Sequence, residues 1–433
     1  MRFFAFKALT AVLLLPSLLA AQAPPVKVEQ QRPGLKRDRT QRVLYPRIIQ
    51  FEDERTVTSE LLTYLNLSHG GVRRRALMAL GRIGYGAGVT ALVEALNNER
   101  VPDFRASAAF ALGETEHHYA VPSLLDRLNP ATEPSQMVRA RAVEALGKIA
   151  SNKFSIESLG KYGIASIAAV IARQLPPTSE PFSEDVRMIG SLALTALLRI
   201  REPSTIAAIT AQLRSPDAEI RWQAANALAR IREGIAPAVP SLLGLLEERN
   251  WLVRAHAARA LGVAKDKRGI EPLVRLLGDA EERVIANAIT ALGAIADPRA
   301  VDPLIAIGQV KLNGYRSFDR QRGGVPPEQN LMLLAATSLG NIKDARALPL
   351  LKAIRFADGK IGTSAEAEIA VAKLGEAAFF DISESVNLPN EDWRAMAAYS
   401  QGLGQLATER AKAMLLDLLS GKTYGKPDPR AVP

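Results

Sequence analysis

Apolar residues recur along this chain at intervals that predict helices arranged in pairs. Between residues 71 and 98, two apolar stripes with helical spacing follow one another, separated by a turn at Gly84 and Gly86. The first stripe comprises Val72, Ala76, Leu77, Leu80 and Ile83, and the second comprises Val89, Leu92, Val93 and Leu96. Residues three and four apart share one face of a helix, so the segment predicts a helix A, a turn and a helix B.

The same unit recurs along most of the chain. Its most regular feature is one leucine near the end of each A helix, usually followed by glycine, which we call the repeat leucine. These leucines are Leu80, Leu112, Leu146, Leu197, Leu228, Leu261, Leu292, Leu339, Leu374 and Leu403. Most intervals between them match the length of one helix pair. The pattern predicts an all-α fold, a right-handed α-α superhelix of about ten helix pairs over residues 43–419, because stacked pairs bury apolar faces that none covers alone.

Polar residues in the turns agree with this pairing. Asp266, Asp297 and Asp344 each stand just before a predicted B helix. A short acidic side chain at this place accepts hydrogen bonds from the first free amides of the helix. We therefore expect these aspartates to cap the turns between helices A and B.

This pattern resembles the HEAT family, in particular its bacterial HEAT-like group named after phycobilisome lyases. The signature of that group is Val-Arg followed by Ala-Ala-x-Ala-Leu-Gly-x-Ile. The closest copies here run from Val72-Arg73 to Ile83 and from Val253-Arg254 to Gly262. The resemblance implies a solenoid with a long free surface, and it implies no particular activity because sites are added to such scaffolds individually.

An arginine stands seven residues before the repeat leucine in five copies. These residues are Arg73, Arg105, Arg139, Arg221 and Arg254. They predict either a row of cations for an anionic ligand or a structural row that bonds turn carbonyls and carboxylates between repeats.

Two insertions lengthen the repeat, at about residues 151–184 and 308–328. The first predicts a long B helix from Ile156 to Leu175. Insertions in a solenoid form loops on one face, which is often the binding face. In the second insertion, cations and aromatic residues predict a contact site for an acidic or extended partner, although a solvated loop is the alternative. The candidate contact residues are Lys311, Tyr315, Arg316, Phe318, Arg320 and Arg322.

The ends of the chain predict an exported protein. Arg2 and Lys7, an apolar run from Ala8 to Leu19 and small residues after it are typical of a secretory signal peptide over residues 1–21. Residues 22–42 form a basic, proline-containing segment that we interpret as a linker, because it lacks the interleaved aromatic residues of a nucleic-acid site. Residues 420–433 form a tail, either natural or the start of a further segment. The protein is expected in the periplasm or outside the cell, without a bound nucleic acid and without a transmembrane segment after signal removal.

We expect no catalytic residue, cofactor or metal. The chain has no cysteine, and its net charge is +10. Deoxyhypusine hydroxylases are HEAT-like enzymes that hold two irons with His-Glu pairs, yet none of the four histidines here is followed by glutamate. Those histidines are His69, His117, His118 and His256.

The preferred hypothesis is an exported, non-catalytic scaffold that binds a protein or extended peptide on a concave face lined by the B helices. The alternative is a substrate-presenting repeat region, because residues 47–55 and 109–113 resemble those of exported peptidyl-prolyl isomerases that carry a cyclophilin domain. A remote alternative is a bilin-lyase-like enzyme. The oligomeric state is not specified by these patterns.

Overall fold

The fold consists of helices stacked in pairs. The computed structural model describes residues 39–84, 86–152, 157–318, 329–355, 357, 364–380 and 393–420, and these residues form helices and no strand. Two helices open the stack, namely α1 (Arg39–Asp53) and α2 (Ser59–Thr63). Because α1 begins at Arg39, the last four residues of the predicted linker 22–42 belong to the solenoid, which was predicted to start at residue 43.

Ten A helices and ten B helices then alternate within the described part of the chain. The A helices are α3 (Gly70–Ile83), α5 (Pro102–Thr115), α7 (Gln136–Ser151), α9 (Glu184–Ile200), α11 (Ala218–Ile231), α13 (Trp251–Ala264), α15 (Glu282–Ile295), α17 (Gln329–Ile342), α19 (Ala365–Lys373) and α21 (Trp393–Leu406). The B helices are α4 (Ala87–Asn98), α6 (Val121–Asp126), α8 (Ile164–Ala172), α10 (Ile206–Ala211), α12 (Val239–Gly244), α14 (Ile270–Arg275), α16 (Val301–Ser317), α18 (Leu348–Arg355), α20 (Glu376–Phe380) and α22 (Glu409–Leu419). This arrangement confirms the predicted all-α solenoid.

The repeat leucines form the centre of the core. Nine of them have no exposed surface, whereas Leu374 is partly buried because it lies one residue beyond the end of α19. Burial of a leucine side chain contributes about 1.5–3 kcal/mol relative to exposure, so each repeat leucine stabilises its repeat substantially.

The turns between helices A and B confirm the expected aspartate caps. Each carboxylate accepts a hydrogen bond from the backbone N–H two residues later, at 2.9 Å for Asp266, 3.0 Å for Asp297 and 2.9 Å for Asp344. The bonds satisfy amides that a short 3₁₀ turn leaves free before each B helix.

Successive A helices touch through their backbones. A Cβ atom added to Gly262 would lie 2.7 Å from the Cα of Ala291, and one added to Gly113 would lie 2.9 Å from the Cα of Ala145. Glycines 81, 147, 293 and 340 face the next A helix in the same way. The glycine that follows the repeat leucine is therefore required by the close approach of two helices.

The A helices line the inner side of the stack. Successive B helices approach each other at few points, whereas successive A helices pack closely along much of their length. Each repeat in a solenoid is rotated relative to the one before it, so the distance between repeats is smaller on the inside of the curve. The layer whose helices lie closer together is therefore the inner one. This packing favours the A helices, and not the predicted B helices, as the lining of the concave face.

Both insertions differ from their predictions. Helix α8 spans only Ile164–Ala172, so the predicted helix from residue 156 to 175 is too long. Gly160 has a left-handed backbone with φ of +52°, which a helix does not accommodate. The second insertion is partly helical, since α16 continues to Ser317.

No described helix combines the length and the apolar character needed to cross a bilayer. The predicted signal peptide 1–21, residues 22–38 of the linker and residues 421–433 of the tail lie outside the described residues.

Candidate functional site

The predicted contact residues of the second insertion do not share one loop. Lys311, Tyr315 and Arg316 belong to helix α16, and Phe318 follows its last residue. Tyr315 is only 7% exposed, and the Arg316 guanidinium donates a hydrogen bond to the Ala353 carbonyl at 3.0 Å. Arg320 and Arg322 lie outside the described residues.

The helix continues because its apolar stripe continues. Gly308, Leu312 and Tyr315 are three and four residues apart and are all buried. Gly308 also permits close approach, since an added Cβ would lie 2.7 Å from the Leu350 side chain. The placement of Tyr315 in a contact loop is therefore wrong, because this side chain fills the core.

The row of arginines is a structural feature of the edge where each B helix turns into the next A helix. Arg254 donates to the Glu248 and Arg249 carbonyls at 2.7 and 3.1 Å. Arg105, Arg139 and Arg221 bond the two equivalent carbonyls before their own A helices. The alternative of a free cationic row for an anionic ligand is therefore wrong for these residues.

Most of these arginines also reach a carboxylate in the next turn. Arg254 forms two hydrogen bonds of 2.8 Å with Asp279, whose side chain is 7% exposed, and Arg105 forms a similar pair with Glu133. The hydrogen bonds from Arg254 lower the pKa of Asp279, so this carboxylate stays charged and paired at neutral pH. The row joins consecutive repeats.

The free surface of the A helices carries a different set of residues. Side chains two, five and nine residues before the repeat leucine share one helix face, because these positions are three and four apart. We call the surface that they form the A-helix face. It lies on the inner side of the stack.

An apolar groove occupies the first part of the A-helix face. It consists of two adjoining cavities of about 290 and 370 Å³ that share Met137 and Arg141. Its apolar side chains are Met78, Phe110, Met137, Met188 and Leu192. Met137 is 44% exposed and lies where the two cavities meet. Methionine side chains adapt to irregular contacts.

Charges beside the apolar groove are neutralised within the chain. Glu144 lies two residues before its repeat leucine and pairs with Lys148 at 2.8 Å and with Arg141 at 2.7 Å. Lys148 also pairs with Glu114 at 2.6 Å and lies over the Phe110 ring. This part of the face therefore offers little net charge to a ligand.

A basic pocket follows further along the same face. The cavity measures about 490 Å³ and is lined by residues of α13 and α15 and of the turns after α11 and α13. Arg232, Arg259 and Lys265 line it, and Arg230 adds its charge from α11. We call this cavity, together with the four cations, the basic pocket. None of them forms an ion pair or a side-chain hydrogen bond with another described residue.

Arg259 is the least compensated of the four cations. It lies two residues before its repeat leucine, at the position that Glu144 occupies in α7. Burial and the charges of Arg230 and Arg232 lower its pKa. Glu233 is the acidic residue of the lining and is exposed, without an ion pair to the basic pocket.

Between the groove and the pocket lie two stacked rings. Trp222 of α11 and His256 of α13 have ring centroids 5.1 Å apart. Burial, and to a smaller extent the positive charge of the nearby Arg259, lowers the pKa of His256 to about 4. The imidazole is therefore neutral at pH 7 and adds no charge to the face.

The histidines do not fit a di-iron centre of the hydroxylase type. His69 caps α3 by accepting the Val72 amide, and His117 caps a turn by accepting the Tyr119 amide, while His256 stacks on Trp222. In the part of the chain that the structure describes, no three metal-ligating side chains come together.

The sequence prediction missed the basic pocket, although a signal for it exists. When the repeats are aligned on the repeat leucine, the second and fourth residues after it are Arg199 and Arg201 in one copy and Arg230 and Arg232 in the next. Lys265 holds the fourth place in the following copy. Reading these positions across repeats, and not along the chain, would have revealed the cluster.

Comparisons with known proteins agree with this architecture. The family model for HEAT repeats matches residues 47–113, 89–162, 182–251 and 239–316, which together span more than half of the chain. A segment of 89 residues is 42% identical to deoxyhypusine hydroxylase of Cryptococcus neoformans, and this match covers 20% of the chain and 24% of the enzyme.

Solved structures that match this chain include an engineered protein, with a TM-score of 0.46 and 22% identity over 83% of this chain and 94% of that one. The complex of CpcE and CpcF of phycocyanin lyase from Nostoc has a TM-score of 0.33 and 22% identity, over 57% of this chain and 92% of that one. With the family model matched over consecutive helix pairs, this chain belongs to the HEAT-repeat family.

Proposed function

We propose that this chain is a non-catalytic scaffold whose A-helix face holds an extended segment of a partner protein. The observation that carries the proposal is the apolar groove, where Met137 and its neighbours lie uncovered on the inner side of a helical stack. Apolar side chains grouped in one groove, with polar residues around them, are typical of binding grooves in folded proteins.

The composition of the A-helix face favours one kind of occupant. The groove accepts apolar side chains, and the basic pocket on the same face offers uncompensated positive charge. A segment with apolar residues followed by acidic ones complements both regions. An extended segment is favoured because the two regions lie on different repeats along the stack.

Structural roles of the histidines support the non-catalytic part of the proposal. His69 and His117 are occupied as caps, and His256 is stacked and neutral at pH 7. Each lies in a different repeat, so they do not form an acid–base pair or a ligand set with each other.

A peptide-library selection tests the proposed docking face. The full chain without its predicted signal is used to select random peptides, and binding of the enriched peptides is measured by fluorescence anisotropy. We expect Met137→Glu to weaken binding at least tenfold, because a carboxylate in the groove removes apolar contact and must itself be desolvated.

Val310→Glu is the matched control. Val310 is 61% exposed on the B helix α16, so the substitution introduces the same charge on the opposite layer. Binding within about twofold of wild type is expected for this variant. Peptides that lose affinity with Val310→Glu and keep it with Met137→Glu would place docking on the B-helix side and overturn the proposal.

We also propose that the chain meets its partner outside the cytoplasm. The basic start, the apolar run from Ala8 to Leu19 and the small residues after it support export. Expressed with its full N-terminus in a bacterium, the protein should be recovered from the periplasm or medium with its N-terminal residue at Gln22 or Pro24. A cytoplasmic product that keeps Arg2 would contradict export.

A further inference from the structure

We infer that the basic pocket binds carboxylate groups of an acidic segment in the partner protein. Arg230, Arg232, Arg259 and Lys265 surround or line one cavity of about 490 Å³, which is large enough for acidic side chains. The inference rests on the proposed function, because the segment is the one that the A-helix face receives.

The charge of the basic pocket is not balanced by the fold. Arginines elsewhere on this chain, such as Arg254 and Arg299, bond aspartates at 2.8 and 3.0 Å. The four pocket cations have no such carboxylate among the described residues. Arg259 is partly buried and the other three cations are exposed, so the repulsion acts mainly on Arg259, and an external anion would relieve it.

Helix geometry accounts for some of these cations and leaves Arg259 unexplained. Arg230 lies in the last turn of α11, Arg232 caps that helix, and Lys265 caps α13, so their charges interact favourably with the carboxyl ends of the helices. Arg259 lies further back in α13 and gains less from this effect. Its partial burial beside two other arginines instead suits a ligand-binding role.

The equivalent place in an earlier repeat shows what a structural solution looks like. In α7 the residue two before the repeat leucine is Glu144, and it neutralises Lys148 and Arg141. In α13 that place is Arg259, and its neighbours are cations. The A helices thus supply a pairing carboxylate in the groove region, whereas at the basic pocket the lining carboxylate, Glu233 in the turn after α11, forms no ion pair with the four cations.

An acidic protein segment fits this distribution better than a nucleic acid. A phosphate backbone carries charge at every nucleotide and favours a continuous run of cations. Here the uncompensated cations adjoin a face whose groove region is charge-balanced and apolar. One protein segment can carry both apolar and acidic side chains, whereas a nucleic-acid backbone carries a phosphate at every nucleotide.

Binding of fluorescein-labelled hexaglutamate tests the inference. The full chain without its predicted signal is titrated at low and at moderate salt, and affinity is followed by anisotropy. We expect measurable binding that weakens with salt, and a loss of about tenfold or more in the double variant Arg230→Gln, Arg259→Gln, because each change removes charge-assisted hydrogen bonds.

Arg249→Gln is the matched control. Arg249 is exposed on the opposite edge of the stack, and its side chain forms no ion pair with the described residues. It should bind hexaglutamate within about twofold of wild type. Equal affinities for the double variant and the wild type would overturn the inference.

Thermal unfolding supplies a second readout. If Arg259 is kept for binding, Arg259→Gln relieves repulsion and leaves the melting temperature equal or higher. A clear fall in melting temperature would show that Arg259 has a structural role and would count against the inference. A single-stranded oligothymidylate that binds more tightly than hexaglutamate, and is lost in the double variant, would overturn the choice of an acidic protein segment.

The two proposals fail in different ways. If the selected peptides bind Met137→Glu weakly but hexaglutamate binds the double variant as tightly as wild type, the result supports the proposed docking face and overturns the inferred anion site. If the double variant loses hexaglutamate binding while the selected peptides bind Met137→Glu as tightly as wild type, the result supports the anion site and overturns the apolar groove as the docking site.

Discussion

The glycine after the repeat leucine shows how a single residue sets the spacing of the stack. At Gly262 the missing side chain allows the α15 backbone at Ala291 to approach, so two A helices pack in direct contact. The period along the sequence marks the Leu-Gly step and does not explain it, because the backbone that a side chain at this place would meet lies in the next repeat. Only the pairing of repeats reveals the reason.

The first prediction compares two glycines in helices. Gly262→Ala should lower the free energy of unfolding by about 1–3 kcal/mol, because the new methyl group meets backbone that cannot move alone. Gly244→Ala, where an added Cβ meets nothing within 4 Å, should raise it by about 0.5–1 kcal/mol. Urea unfolding of both variants measures the difference. Changes of the same sign would contradict the proposed packing of the A helices.

The capping aspartates give the fold a pH dependence at the residue scale. Asp297 is 6% exposed, and its carboxylate accepts hydrogen bonds from the Arg299 side chain and backbone at 3.0 Å. These bonds, the side-chain one first, lower the pKa of Asp297 from 3.8 to about 2. A lowered pKa means that folding favours the charged form, so the contribution is complete above the unfolded value.

The second prediction follows from that sign. Wild type should exceed Asp297→Asn in stability at neutral pH, and the difference should shrink as pH falls from about 4 to about 2, where the folded carboxylate takes up its proton. Urea unfolding of the two proteins at a series of pH values measures the gap. A gap that grows as pH falls in this range would rule out a depressed pKa for Asp297.

At the scale of elements, the arginine row determines how one helix pair joins the next. Arg254 bonds the turn before its own helix and Asp279 in the turn after the same pair. The sequence pattern located this row, while its role depended on partners 25 residues away, beyond the reach of periodicity.

The third prediction concerns this joint. Arg254→Met should cost about 3–5 kcal/mol, because it leaves the Asp279 carboxylate buried without its partner. Arg275→Met is the control, since Arg275 is 63% exposed and its 3.5 Å pair with Glu247 is solvated, so its cost should stay under about 0.5 kcal/mol. Chemical denaturation provides both values. Similar costs for both would show that the row does not hold repeats together.

The sequence predicted helices well where a single apolar stripe marked them. It predicted helix ends poorly where another signal in the sequence opposed that stripe. The repeat leucines and the aspartate caps located the A helices and the turns, because these signals are local. The end of α16 was missed, since cations and aromatic residues in the sequence resembled a loop while Leu312 and Tyr315 continued its buried stripe. The start of α8 depended on the backbone of Gly160.

At the scale of the whole molecule, the sidedness of the stack determines which layer of helices carries the proposed docking face. Helix periods specify that pairs stack and do not specify which layer lies inside. That choice depends on the Gly–Ala contacts between repeats, which draw the A helices together. The candidate site accordingly moved from the second insertion to the A-helix face, where Met137 and the basic pocket lie.

Photo-crosslinking tests the sidedness of docking most directly. Photoreactive p-benzoylphenylalanine replaces Met137 on the A-helix face in one protein and Val310 on helix α16 in another, and each is irradiated with a peptide selected on the wild-type chain. Covalent peptide is expected from the position of Met137 and none from that of Val310. Crosslinks confined to the position of Val310 would contradict docking on the A-helix face.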